Sequence, residues 1–178
     1  MSARFGTFQQ RDLFRQKAAI LSDCGLYRYR LERTYGEGPT VVVVMVNPST
    51  ADASQDDATI RRWNGFASRY GWGKIIVVNK FAFRSTDVGV LANAEDPIGP
   101  DNDFFLQDAF IAADLIVAAW GTLQKLHDMR LKKRHVKIRK LLQPYDERVF
   151  CFGLTKDGQP RHPLMLSYAS QLVRFNFA

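Results

Sequence analysis

An apolar run with an abrupt polar stop, VVVVMVNPST at residues 41–50, most constrains how this chain can fold. Val41 to Val46 are uninterruptedly apolar and mostly β-branched, which is typical of a strand covered on both faces in a parallel α/β sheet. Pro48 lacks a backbone N–H and ends the run, so amide, hydroxyl and carbonyl groups collect at the carboxyl end of the strand. Open α/β sheets bind ligands at that end.

Three later apolar segments predict three more strands, one ending at Asn79, one at 114–119 and one at 148–154. Helices are predicted between them from about Asp57 to Tyr70, from Asp101 or Asn102 to Ala112, and from Thr122 into a charged stretch. A strand, helix, strand order implies a right-handed crossover and therefore parallel strands.

The expected fold is a single α/β domain over residues 1–178, with three layers and a mostly parallel four-stranded central sheet of order 2-1-3-4. Residues 26–35 alternate between apolar and charged side chains, which predicts an antiparallel edge strand paired with residues 40–46. Short helices are expected at 12–21 and at 164–175. The length and the 46% hydrophobic content suffice for one complete core.

A formal net charge of +7 makes the surface attractive to polyanions, which is compatible with a nucleic-acid or nucleotide partner. Apolar runs fall far short of the ~20 residues that span a bilayer, and the N-terminus lacks a signal-peptide core, which predicts a cytoplasmic protein without a membrane partner. Two cysteines, Cys24 and Cys151, cannot form a four-thiolate metal site. We expect no metal and no cofactor; the oligomeric state stays open.

The charged stretch at residues 130–140 contains seven Lys or Arg residues, which surround Leu131, Ile138, Leu141 and Leu142. Such a run is more often a solvated helix face than a nucleic-acid contact. Two of the three histidines, His127 and His135, flank or fall within it, and a surface position is predicted for both. The third, His162, follows the fourth predicted strand.

Each predicted strand ends in a polar cluster, and in a parallel sheet these ends lie on one edge. The clusters are Asn47-Pro48-Ser49-Thr50, Asn79 to Arg84, Trp120-Gly121-Thr122 and Arg161-His162-Pro163. Residues more than a hundred positions apart should therefore meet in one crevice. We predict as ligand contacts Ser49, Thr50, Asn79, Phe81, Arg84, Trp120 and Arg161, and as residues with a chemical role Asn47, Asp57 and His162.

Five ordered blocks resemble a bacterial and phage family known only as domain of unknown function 1643: VNPSTADASQDDATIRRW, NKFAFRST, DPIGPDND, AWG and LTKDGQPRHPL. The resemblance covers about residues 24–170. The family name implies no activity.

VNPST, VVNKF, AAWG and RHPLMLS are also distantly similar, in order, to the strand-end motifs of uracil-DNA glycosylase-like folds. That resemblance implies a base-excising site. Asn47 would position the attacking water, His162 would stabilise the departing base, and Asn79 would read the base edge. Phe81 or Phe83 would stack on the base, while Arg84 and Arg161 would hold phosphate.

Several functions stay open on the sequence alone. Asp57 follows the first motif and has no glycosylase counterpart, so it is either a general base or the cap of the next helix. The chain is then a nucleobase- or nucleotide-recognising protein that hydrolyses an N-glycosidic bond, a non-catalytic nucleic-acid or nucleotide-binding module, or an enzyme acting on a free nucleoside or small anionic metabolite. Trp120 is expected to pack in the core more than to stack on a base.

Overall fold

The computed structural model describes residues 16–125 and 128–176, so the predictions for residues 12–15 and for His127 lie outside the described residues. The strands are Gln16–Leu21 (β1), Arg28–Thr34 (β2), Thr40–Met45 (β3), Lys74–Asn79 (β4), Leu115–Ala118 (β5), Val149–Cys151 (β6) and Val173–Arg174 (β7). The α-helices are Ala58–Tyr70 (α1), Asn102–Ala112 (α2) and Met129–Leu142 (α3), and short 3-10 turns occur at Val88–Ala92, Leu123–Lys125, Gln143–Arg148 and Pro163–Met165.

The strands form one mixed sheet of seven, in the order β1-β2-β4-β3-β5-β6-β7. The α/β class is therefore confirmed, and the sheet is larger than the predicted one because β1 and β7 extend it at its two edges. Strands β4, β3, β5 and β6 are parallel to one another, whereas β1, β2 and β7 form antiparallel pairs with their neighbours. Met45 is in register with Asn79 and Val44 with Ala118, so the parallel strands end at one edge.

The predicted pairing of residues 26–35 with residues 40–46 is wrong, because β2 pairs with β4 and is covered on its other side by β1. The connection after β2 is not a hairpin. Its glycines lie directly against the turn that precedes β4: a Cβ on Gly38 would stand 2.5 Å from the Gly71 carbonyl oxygen. The backbone N–H of Tyr35 also donates to the Gly73 carbonyl at 2.8 Å. This close crossing leaves room for β4 between β2 and β3.

The two terminal helices expected from the sequence are also not present among the described residues. Residues 16–21 form β1 instead, in which Ala19 pairs with Leu31 of β2 and packs on the core. Pro163–Met165 is a single 3-10 turn, and Arg174 pairs with Phe150 in β7. In both places an open sheet edge offers backbone hydrogen bonds that outweigh a weak helical pattern.

Alternate residues of the central strands pack on opposite faces of the sheet, which produces three layers. On one face, Val41 and Val43 belong to one buried cluster with Trp63 and Phe66 of α1. On the other face lie the residues of β3, β4 and β5 that alternate with these, together with apolar residues of α2 and α3: Val42, Val44, Ile76, Val78, Ile116, Leu106, Phe110, Ile138 and Leu142. Among the described residues no helix is long and apolar enough to cross a membrane.

Candidate functional site

A cleft of about 920 Å³ lies at the carboxyl edge of the parallel strands. Its walls come from the segments that follow β3, β4, β5 and β6, from the first turn of α1, and from Arg28 at the start of β2. Because β2 is antiparallel to β4, its first residue lies at the same edge as the last residues of β4. The cleft therefore extends along the sheet from β2 to β6.

Seven of the ten residues named from the sequence line this cleft: Asn47, Ser49, Asp57, Asn79, Trp120, Arg161 and His162. Thr50 is exposed but is not part of the wall. Phe81 is completely buried against Leu91 and Leu131, so its ring offers no face to a base. Its neighbour Phe83 is half-buried and packs edge-on against Tyr27 at 6.0 Å. Arg84 also lies outside the wall.

Asn47 has a fixed orientation at the end of β3. Its Nδ2 donates to the Ser85 carbonyl at 2.7 Å and to the Pro48 carbonyl at 3.2 Å. The Ser85 N–H in turn donates to the Pro48 carbonyl at 2.9 Å. Since both amide protons of Asn47 are directed at carbonyl oxygens, the oxygen Oδ1 is the part of the side chain left to accept a hydrogen bond in the cleft.

Asn79, at the end of β4, is only 2% exposed, and its Nδ2 has no hydrogen-bond partner among the described residues. The backbone around it is held firmly, because the side chain of Asn102 donates to the carbonyls of Asn79 and Lys80 at 3.1 and 3.0 Å. A buried donor without an acceptor costs on the order of 1–3 kcal/mol. Asn79 also lines the cleft.

Asp57 is the N-cap of α1: its Oδ1 accepts from the Ile60 N–H at 2.8 Å. Satisfying an otherwise unpaired N–H of the first turn is the ordinary role of an aspartate at this position. The preceding residue, Asp56, accepts two hydrogen bonds on Oδ1 from the fully buried Arg33 at 2.6 and 2.8 Å. This buried ion pair fixes the chain that leads from the β3 end into α1.

His162 and Arg161 form the wall beyond β6. The Nδ1 of His162 accepts a long hydrogen bond of 3.5 Å from the Leu164 N–H, which places the proton of the neutral ring on Nε2. The Arg161 Nε donates to the Leu154 carbonyl at 3.0 Å, and the exposed remainder of the side chain borders the cleft. Gly121, at φ 72°, turns the neighbouring loop so that a Cβ there would stand 3.4 Å from the Cβ of His162.

Trp120 is 2% exposed and contributes little surface to the cleft. Its Nε1 donates to Gln159 at 2.9 Å, and behind its ring lies the buried Lys80, whose Nζ is 4.6 Å from the ring centroid. Lys80 Nζ is 3.0 Å from His135 Nδ1. Burial, and then the charge of Arg134, hold the pKa of Lys80 well below its usual value.

The surface position predicted for His135 is wrong, because the side chain is 7% exposed. Burial, followed by the charges of Lys80 and Arg139, lowers its pKa to about 4. The helix α3 carries its exposed charges on the other side, at Lys132, Lys133, Lys137 and Lys140. The solvated face predicted for this helix is therefore present, but the histidine lies on the inner side.

Arg28 is a charged cleft residue that the sequence did not reveal. It is 3% exposed, whereas the alternating pattern placed it on the polar face of an edge strand. Its backbone N–H donates to the Ala82 carbonyl at 2.9 Å, and the Nη1 of its side chain donates to the Ala51 carbonyl at 2.6 Å. The available signal was indirect: a strand antiparallel to one of the parallel strands begins at their carboxyl edge, so its first residue lies at the binding edge.

The cleft is rich in hydroxyl and amide groups and contains more positive than negative side chains. Two arginines, Arg28 and Arg161, and one carboxylate, Asp57, line the cleft. Its hydroxyl groups come from Ser49, Thr59, Ser85, Thr86, Thr122 and Thr155. In the described part of the chain no group of three or more His, Cys, Asp and Glu residues could hold a metal ion. These polar groups, set in a largely apolar wall, suit a ligand with several oxygen and nitrogen acceptors.

The fold and the cleft together define a three-layer α/β protein with a ligand-sized crevice at the carboxyl edge of its parallel strands. A family model described as "Protein of unknown function (DUF1643)" matches residues 28–164, and the chain belongs to that family. The matched segment begins at Arg28 and includes every residue predicted for the site. Neither the curated proteins nor the solved structures gave a match to this chain.

Proposed function

We propose that the protein binds a nucleobase, as part of a nucleotide or nucleic acid, in this cleft and hydrolyses its N-glycosidic bond. The observation that carries the proposal is the buried Nδ2 of Asn79, which has no partner within the described residues. The edge of a nucleobase presents acceptors next to donors, and a primary amide matches that pattern with its own donor and acceptor.

The arrangement of Asn47 supports a role in orienting water. With both amide protons committed to the Ser85 and Pro48 carbonyls, Oδ1 can accept a hydrogen bond from a water molecule and aim its lone pair at the sugar. A neutral amide is too weak a base to remove the proton early. The reaction then depends on the positive charge that develops on the sugar as the base departs, as in other glycoside hydrolyses.

His162 supports the departure of the base. A neutral ring with its proton on Nε2 donates a hydrogen bond without first being charged, and such a donor stabilises negative charge as it develops on the leaving base. The four parallel strands β4, β3, β5 and β6 lie side by side within the mixed sheet of seven. A likeness to glycosylase-like sheets supports the proposal only as an analogy of fold.

Base release is the direct test. The full chain is incubated with single- and double-stranded oligonucleotides and with free nucleosides, each containing one common or deaminated base, and free base is measured by chromatography. We expect release from at least one substrate, reduced by roughly 100-fold or more in Asn47→Ala and His162→Gln. Asn93→Ala is the matched control, because Asn93 is exposed and lies outside the cleft.

Three other outcomes of this experiment would each support a different conclusion about the function. Binding without release from any substrate would identify a non-catalytic module. Release only from free nucleosides, lost in Asp57→Asn and retained in Asn47→Ala, would favour the rival in which Asp57 is the general base. Neither binding nor release with any nucleoside or oligonucleotide would overturn the proposal.

A further inference from the structure

The end of the cleft beside β2 contains a buried guanidinium with unused donors. Among the described residues, only the Ala51 carbonyl accepts a hydrogen bond from the side chain of Arg28, and the Nε of Arg28 is buried without a partner. No carboxylate in the described chain forms an ion pair with it. A buried charge is costly unless it is paired, so this arrangement is unusual for a purely structural arginine.

A second arginine nearby repeats the pattern. The side chain of Arg84 donates through Nη1 to the Gly25 carbonyl at 3.3 Å, and its Nε is also buried without a partner. Burial is the main reason why the pKa of Arg28 is lowered to about 10; the negative charges of Asp57 and Asp52 oppose this shift, and the positive charges of Arg84 and Arg33 add to it. Arg28 and Arg84 are thus close enough to interact, and each has an Nε without a partner among the described residues.

The nearby carboxylates of Asp57 and Asp52 accept hydrogen bonds from backbone N–H groups and form no ion pair with Arg28. Asp57 accepts from the Ile60 N–H as the cap of α1, and Asp52 accepts from the Ser54 N–H at 2.7 Å and from the Gln55 N–H at 2.9 Å. The first turn of α1, through Thr59, lines the same cleft. The N–H groups of a first turn lack intrahelical partners and favour negative charge.

We propose that this end of the cleft is an oxyanion subsite, in which the guanidinium of Arg28 binds a phosphate group of the ligand. The planar fork of an arginine matches two phosphate oxygens at once, and Ser49, Thr59 and Ser85 contribute hydroxyl donors to the same cleft. The subsite deepens and rests on the proposed function: the base lies at Asn79 on β4, and the phosphate lies next to it at the start of β2. The ligand class is then a nucleotide rather than a nucleoside.

Calorimetric titration of the full chain with matched ligands tests this assignment. The ligands are nucleosides, their 5′-monophosphates, inorganic phosphate, and short single-stranded oligonucleotides of the same base. We expect the monophosphate to bind roughly 10- to 100-fold more tightly than the nucleoside, which is the usual gain from a charge-assisted hydrogen bond. Arg28→Gln should remove that preference, so that the nucleoside and its monophosphate bind with similar affinity. Arg69→Gln, on the exposed last turn of α1, should preserve both affinities.

Equal affinity of the wild-type chain for nucleoside and monophosphate would overturn the subsite and leave the base site standing; this comparison needs no variant, so it holds even if Arg28→Gln does not fold. A preference that survives in folded Arg28→Gln would also overturn it. If no nucleoside or nucleotide binds but inorganic phosphate binds in an Arg28-dependent way, the proposed function fails and the subsite stands. Tighter binding of the oligonucleotide than of the monophosphate would assign the phosphate to a polymer, and the reverse to a free nucleotide.

Discussion

The side-chain amide of Asn47 donates to the backbone carbonyl of Ser85 at 2.7 Å, across 38 positions of sequence. This bond joins the segment after β3 to the segment after β4 at the edge where the cleft opens. It also settles which side of the Asn47 amide is the nitrogen, because a carbonyl oxygen can only accept. The orientation of the proposed water-binding oxygen thus follows from the loop structure and does not require a ligand.

Replacing Asn47 with aspartate should destabilise the protein. A carboxylate at this position would place acceptor oxygens against the Ser85 and Pro48 carbonyls, and the two hydrogen bonds would become repulsive contacts. We expect the free energy of unfolding to fall by about 1–3 kcal/mol, measured by urea denaturation at neutral pH. Asn93→Asp, at an exposed position, should change it by less than about 0.5 kcal/mol. Equal effects at the two positions would contradict the described role of Asn47.

Two substitutions of Asp57 separate its cap from any chemistry. Asn keeps a capping oxygen and removes the charge, while Ala removes both. We expect Asp57→Ala to lower the free energy of unfolding by about 1 kcal/mol and Asp57→Asn to leave it nearly unchanged. Under the proposed mechanism Asp57→Asn also keeps base-release activity. If Asp57→Asn is stable but inactive, Asp57 is the general base and the proposed mechanism is contradicted.

The buried pair of Arg33 and Asp56 should contribute far more to stability than a surface pair. Arg33 is completely buried, so removing the carboxylate leaves its charge without compensation. We expect Asp56→Ala to cost about 3–5 kcal/mol in chemical denaturation. Asp108→Ala breaks the ion pair of Arg30 with Asp108, whose side chain is 54% exposed, and should cost at most about 1 kcal/mol. Similar costs for the two variants would contradict this ranking.

Stability should fall in mild acid because of His135. The pKa of this side chain is about 4 in the folded protein, against an ordinary value of 6.5, so the unfolded chain binds the proton at higher pH. The contribution of neutral His135 to the free energy of unfolding is fully present above about pH 6.5. It decreases by up to about 3 kcal/mol as the pH falls towards 4. His135→Gln, which cannot titrate there, should show a smaller decrease over the same interval. Parallel pH profiles of unfolding for the two proteins would contradict the shifted pKa.

The central strands, α1 and α2 were predictable because their patterns are strong and local. The run at Val41 to Val46, the helical spacing of Ile60, Trp63 and Phe66, and the apolar segment before Asn79 each define one element without further context. The ends of these strands then placed seven of the ten proposed site residues on one cleft wall.

Strand pairing and burial of charge were not predictable in the same way. The position of β2 depends on two glycine turns, at Gly38 and Gly73, that pack against each other, and nothing local to either turn specifies that contact. Arg28 and His135 were assigned to solvent because charged residues are mostly exposed. Their burial depends on neighbours from distant segments, Ala51 in one case and Lys80 in the other.

Recognition of a base by Asn79 is tested most directly by the side-chain amide resonances in a ¹H–¹⁵N spectrum. The Asn79 pair is assigned by its disappearance in Asn79→Asp, and the full chain is then titrated with nucleobases and nucleotides. We predict that the Nδ2 resonances of Asn79 shift with at least one base while those of exposed Asn93 do not. Each base and nucleotide is added until its binding is saturated. If the Asn79 resonances stay unchanged with all of them, nucleobase recognition in this cleft is contradicted.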